Sequence, residues 1–212
     1  MISKASTDIT ATSSRRTFLK AAASIGLSIP FLIDNARAQQ AGRKSRILIA
    51  YYSRTGNTRT VAEQIQQLTG ADIFELKTAY SYPAEYRATT DQAKREQQEN
   101  FRPQLTAQVE NMADYDVVFI GYPNWWATMP MAFFSFLESY NFAGKSIVPF
   151  CTHEGSRLGR SVEDIEALCP QATLLQGFSL RGASDGTIRT ASADAQEAVR
   201  DWVGELELAG LS

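Results

Sequence analysis

Apolar residues along this chain come in short unbroken runs, separated by segments in which they recur every three or four positions. ILIAYY at 47–52, the run at 73–76, VVFIG at 117–121, IVPFC at 147–151 and the stretch at 173–180 read as strands. Three of them are almost continuously apolar, the pattern of strands covered on both faces. Helical spacing lies between and after them. It covers 59–68, with Val61, Ile65 and Leu68 on one face, a polar stretch at 85–99, and then 130–140, 161–168 and 193–206. Gly70 is placed to stop the first helix and Pro130 to start the third. Strand and helix in alternation predict parallel strands joined by right-handed crossovers, so the strands' C-terminal ends share one edge. The chain has no internal repeat or low-complexity tract, and no second folded domain is expected.

The N-terminus stands outside this pattern. Residues 14–20, SRRTFLK, precede a moderately apolar stretch at 21–33 and then Ala36, Arg37 and Ala38. An Arg pair, an apolar stretch and an Ala-x-Ala site in that order resemble a twin-arginine export signal. The expectation is a signal peptide over 1–38, a short linker at 39–44 and one domain over 45–208, with the product in the periplasm or secreted. The apolar stretch is shorter than the roughly 20 residues of a spanning helix, so no stable membrane insertion is expected after cleavage. No Cys precedes Cys151, which argues against a lipoprotein anchor.

Charge narrows the partners. Taking the leader's Lys4, Arg15, Arg16, Lys20 and Arg37 from 21 basic residues, and Asp8 and Asp34 from 23 acidic ones, leaves 16 and 21, a net of −5. That balance argues against nucleic acid as a partner.

Candidate chemistry gathers at three strand ends. After the first strand come Ser53, Arg54, Thr55, Gly56, Asn57 and Thr58. Unpaired backbone N–H groups and the helix's partial positive charge suit an anion there, hydroxyls add donors, and Gly56 lets the backbone come close. The loop has neither the G-x-G-x-x-G of dinucleotide folds nor the Gly-Lys-Ser/Thr ending of triphosphate loops, so a small monophosphate suits it best. The same residue types also cap ordinary helices, which leaves a plain helix start open. After the third strand come Pro123, Asn124, Trp125 and Trp126; the two indoles suit a flat ligand, or one of them is core, because neighbours in sequence face opposite ways. After the fourth strand come Thr152, His153, Glu154, Gly155 and Ser156.

S-x-T-G-N-T after strand one, P-x-W-W after strand three and T-H-x-G-S after strand four resemble the flavodoxin-like proteins over roughly 45–208, the first motif being the most specific. The resemblance implies an α/β fold: a doubly wound five-stranded parallel sheet of order 2-1-3-4-5 with helices on both faces. It also implies FMN bound without a covalent link, at the first and third strands. Residues 53–58 would hold the phosphate, and 123–126 with 152–156 the isoalloxazine. The connection from the fifth strand to the last helix resembles the short-chain kind.

Two departures bear on function. Electron-carrier flavodoxins usually sandwich the ring between two aromatics, one from each ring loop, yet 152–156 contains none. Those carriers are also commonly more acidic. The expectation is therefore flavin-mediated reduction of a small acceptor such as a quinone, with NAD(P)H:quinone-type turnover. A single-electron carrier between proteins and a flavin-binding module without turnover are the alternatives. His153, the sole His, rules out a His cluster for a metal; it either pins its loop or donates a proton to a reduced acceptor. Cys151 ends a strand on the ligand edge and Cys169 ends a helix running away from it, so no disulfide between them is expected.

Overall fold

In the computed structural model, residues 45–183, 185 and 187–206 are described; the twin-arginine stretch, the 39–44 linker and residues 207 and 208 lie outside them. β1 (Ile47–Tyr51) pairs β2 (Asp72–Glu75) on one side and β3 (Val117–Pro123) on the other. β4 (Ser146–His153) pairs β3 and carries both β5 (Thr173–Leu174) and β6 (Phe178–Arg181) on its outer side. Every pairing is parallel and the order is β2-β1-β3-β4-β5 with β6 beside β4, the order expected plus a sixth strand.

Alternation along the central strands sends side chains to two cores. Leu48, Ala50, Val118, Ile120 and Tyr122 face one side, against Phe133, Phe136 and Leu137 of α3 (Met131–Glu138) and Ile165 of α4 (Ser161–Leu168). Ile49, Tyr51, Val117, Phe119, Val148 and Phe150 face the other. They meet Val61, Ala62 and Ile65 of α1 (Asn57–Thr69) and Val199, Trp202 and Val203 of α5 (Ala193–Leu206). Strands with apolar residues on both faces can be solvated on neither, which is why helices cover both.

Three helix ends have a local cause. Gly70, at φ 70°, closes α1 by donating its N–H to Gln66 O at 2.8 Å. α2 (Tyr86–Gln98) starts at Glu85, whose carboxylate accepts from the Arg87 and Ala88 N–H groups at 2.8 and 2.6 Å. α1 begins at Asn57, two residues before the apolar spacing does, because Gly56 turns the chain at φ 97°.

The single strand expected over 173–180 is two strands. Leu175 N–H donates to Ile147 O, and residues two apart in a strand face the same neighbour, so the nitrogen of Pro149 faces this edge with no proton to give. From Ile147 to Phe150 β4 takes three steps while its partner takes four, from Leu174 to Phe178. The edge chain bulges past the proline, and Gly177 lies there because a Cβ would sit 3.1 Å from Pro149 O. Cys151 and Cys169 are both buried free thiols, and burial pushes them up to about 12 and about 11.

Candidate functional site

The loops after β1, β3 and β4 meet at the C-terminal edge of the sheet, where chain neighbours diverge and leave a crevice. In the first, Ser53 Oγ accepts the Gly56 N–H at 3.1 Å, and Gly56 O accepts from the Thr60 N–H at 2.9 Å. The N–H groups of Asn57, Thr58 and Arg59 thus open α1 with no partner inside the helix, an arrangement that receives an anion.

Two side chains of this loop have other tasks. Asn57 is buried; its amide nitrogen donates to Thr187 O at 3.0 Å, and its Oδ1 accepts from the Arg189 N–H at 3.0 Å. Thr190 Oγ1 donates to Asn57 O at 2.9 Å. The Asn57 side chain therefore clamps the chain after β6 against the loop, and only its N–H remains for an anion. Thr58 is buried too, and its hydroxyl pairs with that of Thr152 at 2.9 Å, tying the first loop to the third.

The second loop turns tightly. Trp125 N–H donates to Thr128 O and Thr128 N–H to Trp125 O, with Trp126 at φ 53° and Ala127 at φ 67°. Positive φ at both central positions is the geometry that favours Asn-Gly, and each non-glycine residue there costs on the order of 1 kcal/mol. Neighbours hold it: Gln97 Nε2 donates to Trp125 O at 2.9 Å, Trp126 Nε1 to Thr90 O at 2.6 Å, and Arg160 N–H to Ala127 O at 2.8 Å. The indoles face opposite ways. Trp125 is buried against Tyr52 and Tyr82, whereas Trp126 is 46% exposed with Lys94 Nζ 4.6 Å from its ring centre.

The third loop carries His153, whose Nδ1 accepts the Gly155 N–H at 2.8 Å, so the neutral ring holds its proton on Nε2. Burial first, then the charges of Arg157 and Arg181, hold the imidazole below its usual pKa. Protonation turns Nδ1 into a donor facing another donor. Since the folded pKa lies below the unfolded value of about 6.5, this contact stabilises fully above that pH and is lost as pH falls through the folded pKa. Ligand affinity is accordingly expected to fall between pH 7 and 5. His153→Asn, which keeps an acceptor at the Nδ1 position, should remove that part of the fall and leave only the titration of a phosphate. Identical pH profiles for parent and variant in a binding titration would clear His153 of this role.

A cavity of about 740 Å³ lies between the loops. Of the residues expected there, Arg54, Thr55, Asn57, Pro123, Asn124, Trp125, Trp126, Thr152, His153, Glu154, Gly155 and Ser156 line it, while Ser53, Gly56 and Thr58 stand behind the first loop. Asn124 donates its amide nitrogen to Arg157 O at 2.7 Å, and its Oδ1 is buried without a hydrogen-bond partner among the described residues. An acceptor so placed suits a ligand N–H.

Sequence reasoning missed one wall. Tyr86, Arg87, Thr90 and Asp91 of α2 line the cavity, with Gly182 and Ala183 after β6. Spacing of one, four and five residues puts the α2 set on one helix face, which was readable; that this polar helix turns the face inward was not. Tyr86, with the Arg54 guanidinium 5.4 Å from its ring centre, is an aromatic that neither ring loop supplies.

The flavodoxin family profile matches residues 46–204. Among solved structures, a protein from Bacteroides eggerthii classed as a flavoprotein is 30% identical, covering 77% of this chain and 98% of its own, with a TM-score of 0.62. One from Bacteroides uniformis, classed likewise, is 28% identical over 76% and 99%, with a TM-score of 0.64. A Lactobacillus acidophilus flavoprotein in complex with FMN shares the fold at 23% identity, 65% and 93% coverage and a TM-score of 0.56. No curated protein matches.

Proposed function

The chain belongs to the flavodoxin family, and from the geometry of its cavity we propose that it binds FMN noncovalently and uses it to reduce a small acceptor such as a quinone. The N–H groups opening α1, with Thr55 and Arg54, would hold the phosphate. Trp126 would cover one ring face, and Asn124 Oδ1 would accept a ring N–H. That buried acceptor without a partner is what fits a flavin rather than an apolar ligand. The FMN of the Lactobacillus protein makes it the first cofactor to test. Bound FMN would supply reversible transfer of one or two electrons.

One observation carries the small-acceptor reading over that of a protein-to-protein carrier: 152–156 lines the cavity without a Phe, Tyr or Trp ring, which in this reading leaves that side of the ligand reachable by a small molecule. In this reading the wall orients the acceptor, and His153 Nε2–H faces the reacting region as a donor. The deciding experiment is anaerobic titration of the FMN-loaded protein with NADPH, then with a soluble quinone. Stoichiometric bleaching of the flavin band by NADPH and its return with quinone is the expected result. Bleaching by dithionite alone, with no quinone turnover, would favour the carrier.

We also propose that 1–38 directs export by the twin-arginine route after folding, because a noncovalent cofactor made in the cytoplasm is best loaded there. Arg15→Lys with Arg16→Lys is expected to leave flavin-loaded precursor inside the cell, read by fractionation. Normal export of that variant would exclude the route.

A further inference from the structure

Trp125, in the cavity wall, is the first of a run of aromatic rings leading outward. Tyr82 meets it edge-on with centroids 5.1 Å apart, Tyr80 meets Tyr82 at 5.5 Å, and Tyr52 touches both Tyr82 and Trp125 at 5.9 and 5.7 Å. Trp125 is 4% exposed, whereas Tyr80 is half-buried and reaches solvent.

The two outer tyrosines share one carboxylate. Glu96 on α2 is 6% exposed, yet it accepts from Tyr82 OH at 2.5 Å on Oε2 and from Tyr80 OH at 2.6 Å on Oε1. Gln92 Nε2 adds a third donor at 2.9 Å. An ionised carboxylate offers acceptor sites on both oxygens, so one side chain can receive all three donors. Nothing in the proposed reduction of an acceptor uses this group, and holding Trp125 in place does not require a buried charge.

We propose that Trp125, Tyr82, Tyr80 and Glu96 form a radical relay that draws oxidising equivalents out of the cavity to solvent. The relay presumes that the cavity is a redox site, as proposed above. A one-electron oxidant of the dioxygen-derived radical class, formed in the cavity, takes an electron from Trp125 and becomes its reduced anion. Tyr82 returns an electron to Trp125 and passes its phenolic proton to Glu96 Oε2, leaving a neutral phenoxyl and a carboxylic acid. Tyr80 then gives an electron to Tyr82 and its proton to Oε1, while the proton on Oε2 goes back to Tyr82. A solvent thiolate closes the cycle: it gives Tyr80 an electron and leaves as a thiyl radical, Glu96 returns the proton to Tyr80, and the carboxylate is restored.

The resting charges suit this. Burial first, then the bond to Glu96, pushes Tyr80 up to about 12, and the same causes raise Tyr82 further. Both phenols therefore keep their protons until oxidised. A phenol loses an electron far more readily when an acceptor for its proton is already in contact, and here both have one.

The test supplies the oxidant from solution, so it does not depend on bound flavin and its failure leaves the FMN reading standing. Protein carrying Trp126→Phe, which removes the exposed indole, is flash-oxidised with a photo-generated ruthenium(III) trisbipyridine complex. Transient absorption then follows indole and phenoxyl radicals. The expected result is an indole radical that decays into a phenoxyl signal. Adding Tyr82→Phe should slow that decay at least tenfold, and adding Glu96→Gln, which keeps the shape but cannot take a proton, should remove most of the phenoxyl yield. Circular dichroism checks that each is folded; if Glu96→Gln is not, Tyr82→Phe decides alone. Decay as fast in the folded variants as in the parent overturns the relay.

Discussion

Replacing Thr55 and Thr58 together by alanine is expected to weaken FMN binding roughly 30- to 700-fold. Each hydrogen bond given up is worth about 1 to 2 kcal/mol, and about 1.4 kcal/mol is tenfold. The two contribute by different routes. Thr55 lines the cavity and also accepts from the Asn57 amide at 3.1 Å, so its loss bares the phosphate end and loosens the Asn57 clamp. Thr58 lies behind the loop and bonds Thr152, so its loss unties the phosphate loop from the ring loop. Thr152→Val breaks the same tie without touching the phosphate loop, and its cost subtracts the tie from the effect of Thr58. Flavin fluorescence quenching measures all of these, and parent-like affinity in the double variant would show that the phosphate lies elsewhere.

Gly159→Ala should cost about 2 to 4 kcal/mol of stability, a fall in Tm of roughly 5 to 15 °C for a domain of this size. A Cβ there would lie 2.3 Å from Ala127 O, a backbone atom, and φ is +60° besides. The Trp126 turn must shift, and with it the Arg160 N–H bond to Ala127 O. Gly70→Ala is the control: φ is +70° but a Cβ meets nothing within 4 Å, so only the conformational cost of about 1 kcal/mol remains. The excess of the first over the second is the clash. FMN affinity should fall with Gly159→Ala and stay unchanged with Gly70→Ala. Equal melting temperatures for the two variants would show that the turn yields freely.

What was legible in the sequence is what depends on period and position. VVFIG and ILIAYY had to be doubly covered strands, so their loops had to share an edge; the order of the strands came from the motifs that resemble flavodoxins. Adjacency left two readings of Trp125 and Trp126 open, both on a ligand or one of them core, and Trp125 is the buried one. What was not legible depends on contacts between distant segments. Asn57 reads as a phosphate-loop residue, but Thr187, Arg189 and Thr190, which consume its side chain, lie far along the chain. α2 reads as a solvated helix because its cavity-facing residues are themselves polar. The broken fifth strand could have been foreseen, since Pro149 sits inside IVPFC and a proline there has to leave a gap in one ladder.

That gap has a consequence for the molecule in company. An outermost strand with a long flat row of unpaired N–H and C=O groups recruits strands from other chains and seeds aggregates. Here the outermost chain beside β4 is a two-residue strand, a bulge and a four-residue strand, so it offers no continuous template on that side. The proline that costs the sheet one internal hydrogen bond thus also divides that border into two short pieces.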